Sequence, residues 1–494
     1  MIYKSTRDIN SAPKSAAEII KQGLSSDGGL FVPMSIPAIS ETEIIEMCSD
    51  SYPVRAAKVL SKYLTDYTFD ELLSDCTNAY CEESFHGGAA QLVHTYDNIY
   101  SLELWHGPTA AFKDMALQIM PRLLSRALKK TGEERKALIL VATSGDTGKA
   151  ALEGYRDIDG IEMMVFYPAH GVSQVQKLQM ATQVGENVNV IAIEGNFDNA
   201  QSGVKEIFSN PESAKILNDN GYFFSSANSI NWGRLAPQIV YYISAYCDLL
   251  SMGKINMGDK INVCVPTGNF GNIFAAYLAK LMGLPIGKLV CASNKNNILT
   301  DFLNTGTYDR NRDFHLTMSP SMDILISSNL ERLLYFTAGD KLTAEYMESL
   351  KTNGAYTVNT ETLAKIKENF VGYFADEEAT AKTIKDYYEN HNYLSDTHTA
   401  VALYSAEQYI KESGDDTPIV VASTASPYKF AIDVYKSLAS DFEGSDLDAL
   451  EALSSLTGTE ITYPLRDLDK REVRFTKIID HKNMTDEVYS YIVK

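Results

Sequence analysis

LILVATSGDTGKAALEGY, residues 138–155, begins as an aliphatic run, breaks at a cluster of hydroxyls and glycines, and resumes with a different period. Leu138–Val141 are continuously apolar, as expected of a strand buried on both faces. Thr143, Ser144, Gly145, Asp146, Thr147 and Gly148 interrupt the run, and a helical pattern follows. Strand, short polar loop and helix in that order form one step of an alternating α/β fold. The same texture recurs from about residue 96 to 294. IYSLEL (99–104), KALILVA (136–142), EMMVFYP (162–168), VNVIAIEG (188–195) and INVCVP (261–266) read as strands separated by helical stretches. The expected fold class is therefore α/β, with mostly parallel sheets flanked by helices.

Around this block the texture differs. Short helical patterns at Ala16–Gln22, Glu41–Cys48 and Pro53–Leu64 make residues 1–90 an N-terminal helical region. Divisions near 90 and 225 give an α/β subdomain over 91–225 and a larger α/β domain over 226–494. Past about 330 the chain turns helical and acidic, as in ADEEATAKTIKDYYEN (375–390), whose charges suit a solvated face. One more buried strand, TPIVVAS (417–423), follows.

The bulk numbers narrow the function. With 45% hydrophobic and 22% charged residues over 494 positions, the chain has material for a large core. A net charge of -20 argues against nucleic-acid binding, because a phosphate backbone would be repelled. Cys48, Cys76, Cys81, Cys247, Cys264 and Cys291 match no zinc spacing and read as reduced thiols. The opening MIYKSTRDINSAPKSAAEII lacks the apolar core of a secretory signal, and no run approaches the roughly 18 residues that span a bilayer. A cytoplasmic protein that binds no metal and no membrane is expected.

Ligands of α/β sheets bind at the carboxyl ends of strands, and three such ends carry unusual residues. The first is the loop Thr143–Gly148, where hydroxyls and glycines at a helix start suit an anion. In the second, INVCVPTGNFGNIFAAY, Gly268, Asn269, Phe270, Gly271 and Asn272 open a helix whose backbone N–H groups suit a phosphate. Neither loop has the G-x-x-x-x-G-K-[ST] pattern of nucleotide hydrolases, nor G-x-G-x-x-G. The third, TPIVVASTASPYKFA, ends at Ser423 and Thr424 with Pro427 beyond. A fourth feature is Lys113 in ELWHGPTAAFKDMALQIM (103–120). The stretch from Thr109 reads as the start of a helix, with Phe112, Met115, Ala116 and Ile119 on one apolar face. A lysine held there, near the positive end of the helix dipole, loses its proton readily and suits a Schiff base. A lysine for an aldehyde, a glycine loop for a phosphate and a hydroxyl at a strand end together suit pyridoxal 5′-phosphate.

These stretches, with STRD…GLSSDGGLFVP, NSINWGRLAPQIVYY and DTHTAV, resemble the threonine synthases over nearly the whole length. That family uses pyridoxal phosphate on fold type II, the tryptophan-synthase-β-like fold. The resemblance implies that Lys113 is the catalytic lysine and forms the Schiff base. It implies that Gly268, Asn269, Phe270, Gly271 and Asn272 receive the cofactor phosphate, and that Thr424 meets the pyridine nitrogen. Ser144, Gly145, Asp146 and Thr147 are expected around the substrate carboxylate. Asn228, Ser229 and Arg234 are expected around the substrate phosphate; without the family, Arg234 reads as a surface or structural arginine. The implied reaction takes O-phospho-L-homoserine and water to L-threonine and phosphate by β,γ-elimination and β-addition, the last step of threonine biosynthesis. Many family members carry T-A-H-P where this chain has Thr424-Ala425-Ser426-Pro427, so the part played by that histidine is open here. His398 receives no assigned role. Two other readings remain: a dehydratase or β-replacement synthase of the same fold, which needs no distal phosphate site, and a non-catalytic metabolite-binding protein. Oligomeric state is left open.

Overall fold

The aliphatic runs fold as strands of two main sheets. The computed structural model describes residues 1–494 apart from Ile9, Ser11, Ser144, Gly171, Ser440 and Lys494. Eleven strands matter to the site: β1 (Gln91–Tyr96), β2 (Ile99–Glu103), β3 (Lys136–Ala142), β4 (Ile161–Pro168), β5 (Val188–Glu194), β6 (Tyr222–Ser225), β7 (Ile261–Pro266), β8 (Ile286–Ser293), β9 (Phe370–Phe374), β10 (Ile419–Ser423) and β11 (Ile478–Asp480). The larger sheet has the order β9-β8-β7-β10-β2-β1 and is parallel except for β1, which pairs antiparallel with β2. The smaller is parallel throughout, in the order β11-β5-β4-β3-β6. β2, β7 and β10 are buried at every position, which explains their unbroken apolar runs. The α/β expectation holds, with helices packed on the sheets. Sheet membership crosses the division at 225: β1 and β2 join the larger sheet, and β11 returns to the smaller one.

The N-terminal region is helical where expected, at Ala16–Gln22, Glu41–Met47 and Tyr52–Tyr63, and adds a further helix at Phe69–Ala79. Three of these begin with a reciprocal cap, Ser15 with Glu18, Ser40 with Glu43 and Thr68 with Glu71, each satisfying two leading N–H groups. The region grips the long helix Trp232–Ser251. Arg55 donates to Ser244 Oγ at 2.7 Å and Asp248 Oδ1 at 2.6 Å, and the rings of Tyr3 and Tyr63 lie 5.4 and 5.6 Å from Trp232. Among the described residues, no helix is long and apolar enough to cross a membrane. All six cysteines are free thiols.

The helix expected from Thr109 starts five residues later. Ala110 has a positive φ of 58°, and only Asp114–Leu117 is helical before a break at Gln118 and Ile119. The Asp114 side chain holds the preceding loop by accepting the Thr109 N–H at 2.8 Å and its hydroxyl at 2.7 Å. Pro121, in the first turn of the next helix Met120–Lys130, has no N–H to return to Leu117. Gly154 packs against that carbonyl: a Cβ there would lie 1.9 Å from Leu117 O.

Candidate active site

Three adjacent parallel strands deliver the key loops to one edge. β2, β10 and β7 are neighbours, and beyond their carboxyl ends lie the Lys113 turn, Thr424 and the Gly268–Asn272 loop. The segments lock together through backbone bonds. Leu104 N–H donates to Ser423 O at 3.0 Å and Phe112 N–H to Thr424 O at 2.8 Å. Thr424 is buried, at 6% exposure. β3, in the smaller sheet, brings the Thr143–Gly148 loop to the same place, where Asp146 Oδ2 lies 3.7 Å from Lys113 Nζ.

Lys113 caps its short helix and is 13% exposed. Burial lowers its proton affinity below that of an ordinary lysine; Asp146 opposes this, while Lys429 and Arg234 reinforce it. Lys429 was not singled out from sequence. Its side chain is fully buried, 3.1 Å from Asp146 Oδ1 and 2.6 Å from the Thr109 carbonyl oxygen. Gln176 donates to the same Asp146 oxygen at 2.8 Å. Burial by itself would raise the Asp146 carboxyl, but Lys429 and then Lys113 hold it well below the usual range. Asp114 differs: burial pushes it up to about 6 despite the Thr109 bonds.

The Thr143–Gly148 loop is not an open cradle. Thr143 Oγ1 accepts the Gly145 N–H at 2.9 Å and the Gly148 N–H at 3.0 Å, so the loop consumes two donors expected for an anion. Gly145 has φ 147°, and Thr147 is partly exposed in the first turn of the helix Asp146–Tyr155. Ser144 lies outside the described residues.

The Gly268–Asn272 loop has the geometry of an anion site. Phe270 is left-handed, with φ 60° and ψ 0°, and turns the chain into the helix Gly271–Leu281, whose leading N–H groups point out of the loop. Asn272 Oδ1 accepts the hydroxyls of Tyr241, at 2.6 Å, and Tyr242, whereas its Nδ2 is buried without a partner. Asn329 fastens the loop by donating to Asn269 O from its backbone and its side chain, both at 3.0 Å. Arg332, fully buried, donates to Asn329 Oδ1, to Ile230 O at 2.6 Å and to Phe31 O at 3.1 Å. A Cβ on Gly268 would lie 2.8 Å from Ser321 O. Ser321 also brings its hydroxyl to 3.4 Å from Lys113 Nζ, and its N–H donates to His398 Nε2 at 3.1 Å. His398 is turned by Asp396, 2.9 Å from its Nδ1. His398 therefore supports the loop that faces Lys113. Ser426 also supports the frame, bonding Ala110 O through its N–H at 3.1 Å and Thr462 through its hydroxyl.

Arg234 is no surface arginine. It is 4% exposed in the first turn of the helix Trp232–Ser251, whose cap, Asn231, accepts the Gly233 N–H at 2.9 Å. One guanidinium nitrogen donates to Ala227 O at 2.6 Å and Nε is buried without a partner; among the described residues no carboxylate pairs with it. Burial lowers its proton affinity to about 10. Asn228 is exposed and Ser229 partly so, Ser229 Oγ lying 3.4 Å from Asn329 Nδ2. The site thus gathers three cations on a chain of net charge -20: Lys113 and Lys429 flank the Asp146 carboxylate, and Arg234 acts on Lys113 without a carboxylate of its own.

Three family descriptions match the chain: "Pyridoxal-phosphate dependent enzyme" over residues 89–425, "Threonine synthase N terminus" over 2–80 and "Threonine synthase, C-terminal" over 399–492. Threonine synthase-like 1 of Homo sapiens is 40% identical over 85% of this chain, which spans 58% of that relative's length. The threonine synthase of Pseudomonas aeruginosa is 38% identical, over 87% of this chain and 89% of that protein. The crystal structure of the pyridoxal-phosphate-bound threonine synthase from Brucella melitensis superposes with a TM-score of 0.87 at 35% identity, covering 100% of this chain and 98% of that one. With fold and sequence in agreement along its length, the chain belongs to the threonine synthase family of pyridoxal-phosphate dependent enzymes.

Proposed function

We propose that this chain is a threonine synthase, a lyase that converts O-phospho-L-homoserine and water to L-threonine and phosphate. The observation that carries this reading is Arg234, a buried guanidinium with an unpartnered Nε and no carboxylate of its own. A buried charge without a counter-ion is unfavourable unless a ligand anion completes it, and an arginine fork suits a phosphate. A dehydratase acting on unphosphorylated serine or threonine has no use for it.

The residues present fit pyridoxal phosphate. The phosphate would rest on the N–H groups at Gly271 and Asn272, with the orphaned Asn272 Nδ2 as a further donor. The Thr424 hydroxyl would meet the ring nitrogen, and Lys113 would hold the aldehyde carbon as a Schiff base. When bound, this cofactor supplies an electron sink for an amino acid joined through its amine. The Lys113 amine would carry protons as a general base and acid, for which its lowered proton affinity suits it. Arg234, with Asn228, Ser229 and Thr147, selects the phosphorylated side chain and steadies the charge that develops as phosphate departs. The Gly145–Thr147 turn, with Ser144, orients the substrate carboxylate. On this reading the reaction takes place in the cytoplasm.

The test is release of phosphate and threonine from O-phospho-L-homoserine by the native protein, Lys113→Ala and Arg234→Ala. Equimolar products are expected from the native protein and none from Lys113→Ala. Arg234→Ala should lose at least about a hundredfold in kcat/KM, the cost of a charged hydrogen bond to a leaving group. A native protein that releases ammonia from serine or threonine, and no phosphate, would move the function to a dehydratase.

A further inference from the structure

Lys429 has a geometry that the proposed reaction does not itself require. The segment that carries it crosses the Lys113 segment: Ala425 bridges Ala111, Ser426 N–H donates to Ala110 O at 3.1 Å, and Lys429 Nζ donates to Thr109 O at 2.6 Å. Thr109 in turn holds Asp114, the residue after Lys113. The other contact of Lys429 is Asp146. Asp146 gives Lys429 its closer oxygen, at 3.1 Å, and leaves Lys113 a contact of 3.7 Å. Because its side chain is fully buried, Lys429 acts through these two partners and not through solvent.

We propose that Lys429 is a positioning residue for Lys113: it engages Asp146 so that this carboxylate does not close on the Lys113 amine, and it pins the Thr109 carbonyl so that the turn carrying Lys113 keeps its place. The groups facing Lys113 are Asp146 from the helix Asp146–Tyr155, Lys429 from the turn after β10, Arg234 from the helix Trp232–Ser251, Asp114 from its own turn and the Ser321 hydroxyl. Removing the Lys429 charge acts on Lys113 twice in the same direction. A repulsive cation is lost, and Asp146 is left with one cation to pair. Both changes favour protonated Lys113.

The inference rests on Lys113 being the reactive amine of the proposed reaction. The test reads its proton affinity without substrate or cofactor, so a protein inactive on O-phospho-L-homoserine would still report on Lys429. Full-length protein is acetylated with acetic anhydride across a pH series before pyridoxal phosphate is added, and the Lys113 peptide is quantified by mass spectrometry. Lys429→Met should raise the labelling midpoint of Lys113 by about one pH unit, slowing its labelling about tenfold below that midpoint. Lys429→Arg, which keeps the charge, should restore the native midpoint, and Asp146→Asn should lower it. A folded Lys429→Met protein with an unchanged or lowered midpoint overturns the proposal. Should Lys429→Met lose its cooperative thermal transition, Asp146→Asn still decides: a midpoint that does not fall removes the shared carboxylate on which the proposal stands.

Discussion

Asp114 shows how much one position beside Lys113 depends on its surroundings. Its folded pKa of about 6 lies above that of a free carboxyl, so the folded chain binds this proton more readily than the unfolded one. Stability from this group is greatest in acid and falls as pH rises through about 6, where a buried carboxylate must form. Asp114→Asn removes that dependence. Measured by denaturant unfolding, the variant should gain about 1 kcal/mol relative to the parent between pH 5 and pH 8. Arg332 is the opposite case, a buried cation whose value is in its bonds. Arg332→Ala leaves the carbonyls of Phe31 and Ile230 and the Asn329 side chain without their donor, and should cost about 3 kcal/mol or more in the same assay. At this scale the sequence spoke unevenly. Lys113 was legible because a lysine among apolar residues after Gly-Pro is unusual. Arg234 was legible only through family resemblance, because a charged residue in a helix ordinarily faces water, and here it is 4% exposed. Lys429 gave no signal: its partners, Thr109 and Asp146, are distant in sequence.

Where a glycine lies between two elements, a single carbon tests their fit. Gly154 lets the helix Asp146–Tyr155 approach the Leu117 carbonyl, and a Cβ would arrive within 1.9 Å of that oxygen. Because the obstacle is backbone, the two helices must separate. Gly154→Ala should lower the thermal midpoint and weaken pyridoxal phosphate binding, which titration of cofactor absorbance would measure, since Asp146 and Lys113 ride on the two displaced elements. The strands that read clearly from sequence, β2, β3, β4, β5, β7 and β10, are largely buried on both faces, so their apolar runs need no partner to be recognised. β1 alternates buried and open positions at a sheet edge, and β6 is four residues long, so neither stood out. The Lys113 helix was anticipated too early because Phe112, Met115, Ala116 and Ile119 have helical spacing although the loop before Asp114 is held by side-chain bonds instead.

Across the whole molecule, the two sheets are threaded in turn. The chain lays down β1 and β2 in the larger sheet, then β3 to β6 in the smaller, returns for β7 to β10, and ends the smaller sheet with β11. After β11, Met484, Val488 and Ile492 join the apolar cluster of the smaller sheet, and Gly203 lies close enough that a Cβ would meet the Met484 sulfur at 2.6 Å. Removing residues 476–494 should therefore speed amide hydrogen exchange in β4 and β5 while leaving β7 and β8 protected. A result with both sheets equally affected would show that they unfold as one unit. None of this threading was legible, because β11 is three residues with mostly open side chains and only its pairing with β5 gives it a sheet. The crossing also bears on how the protein comes into being. Lys429 reaches Thr109 across 320 positions, and β2 has no parallel neighbour until β10 has been synthesised. During translation, residues 91–225 leave the ribosome long before the strand that completes their surroundings. Lys113 is therefore born as a common lysine, and its readiness to meet an aldehyde is acquired late, when the returning chain closes over it.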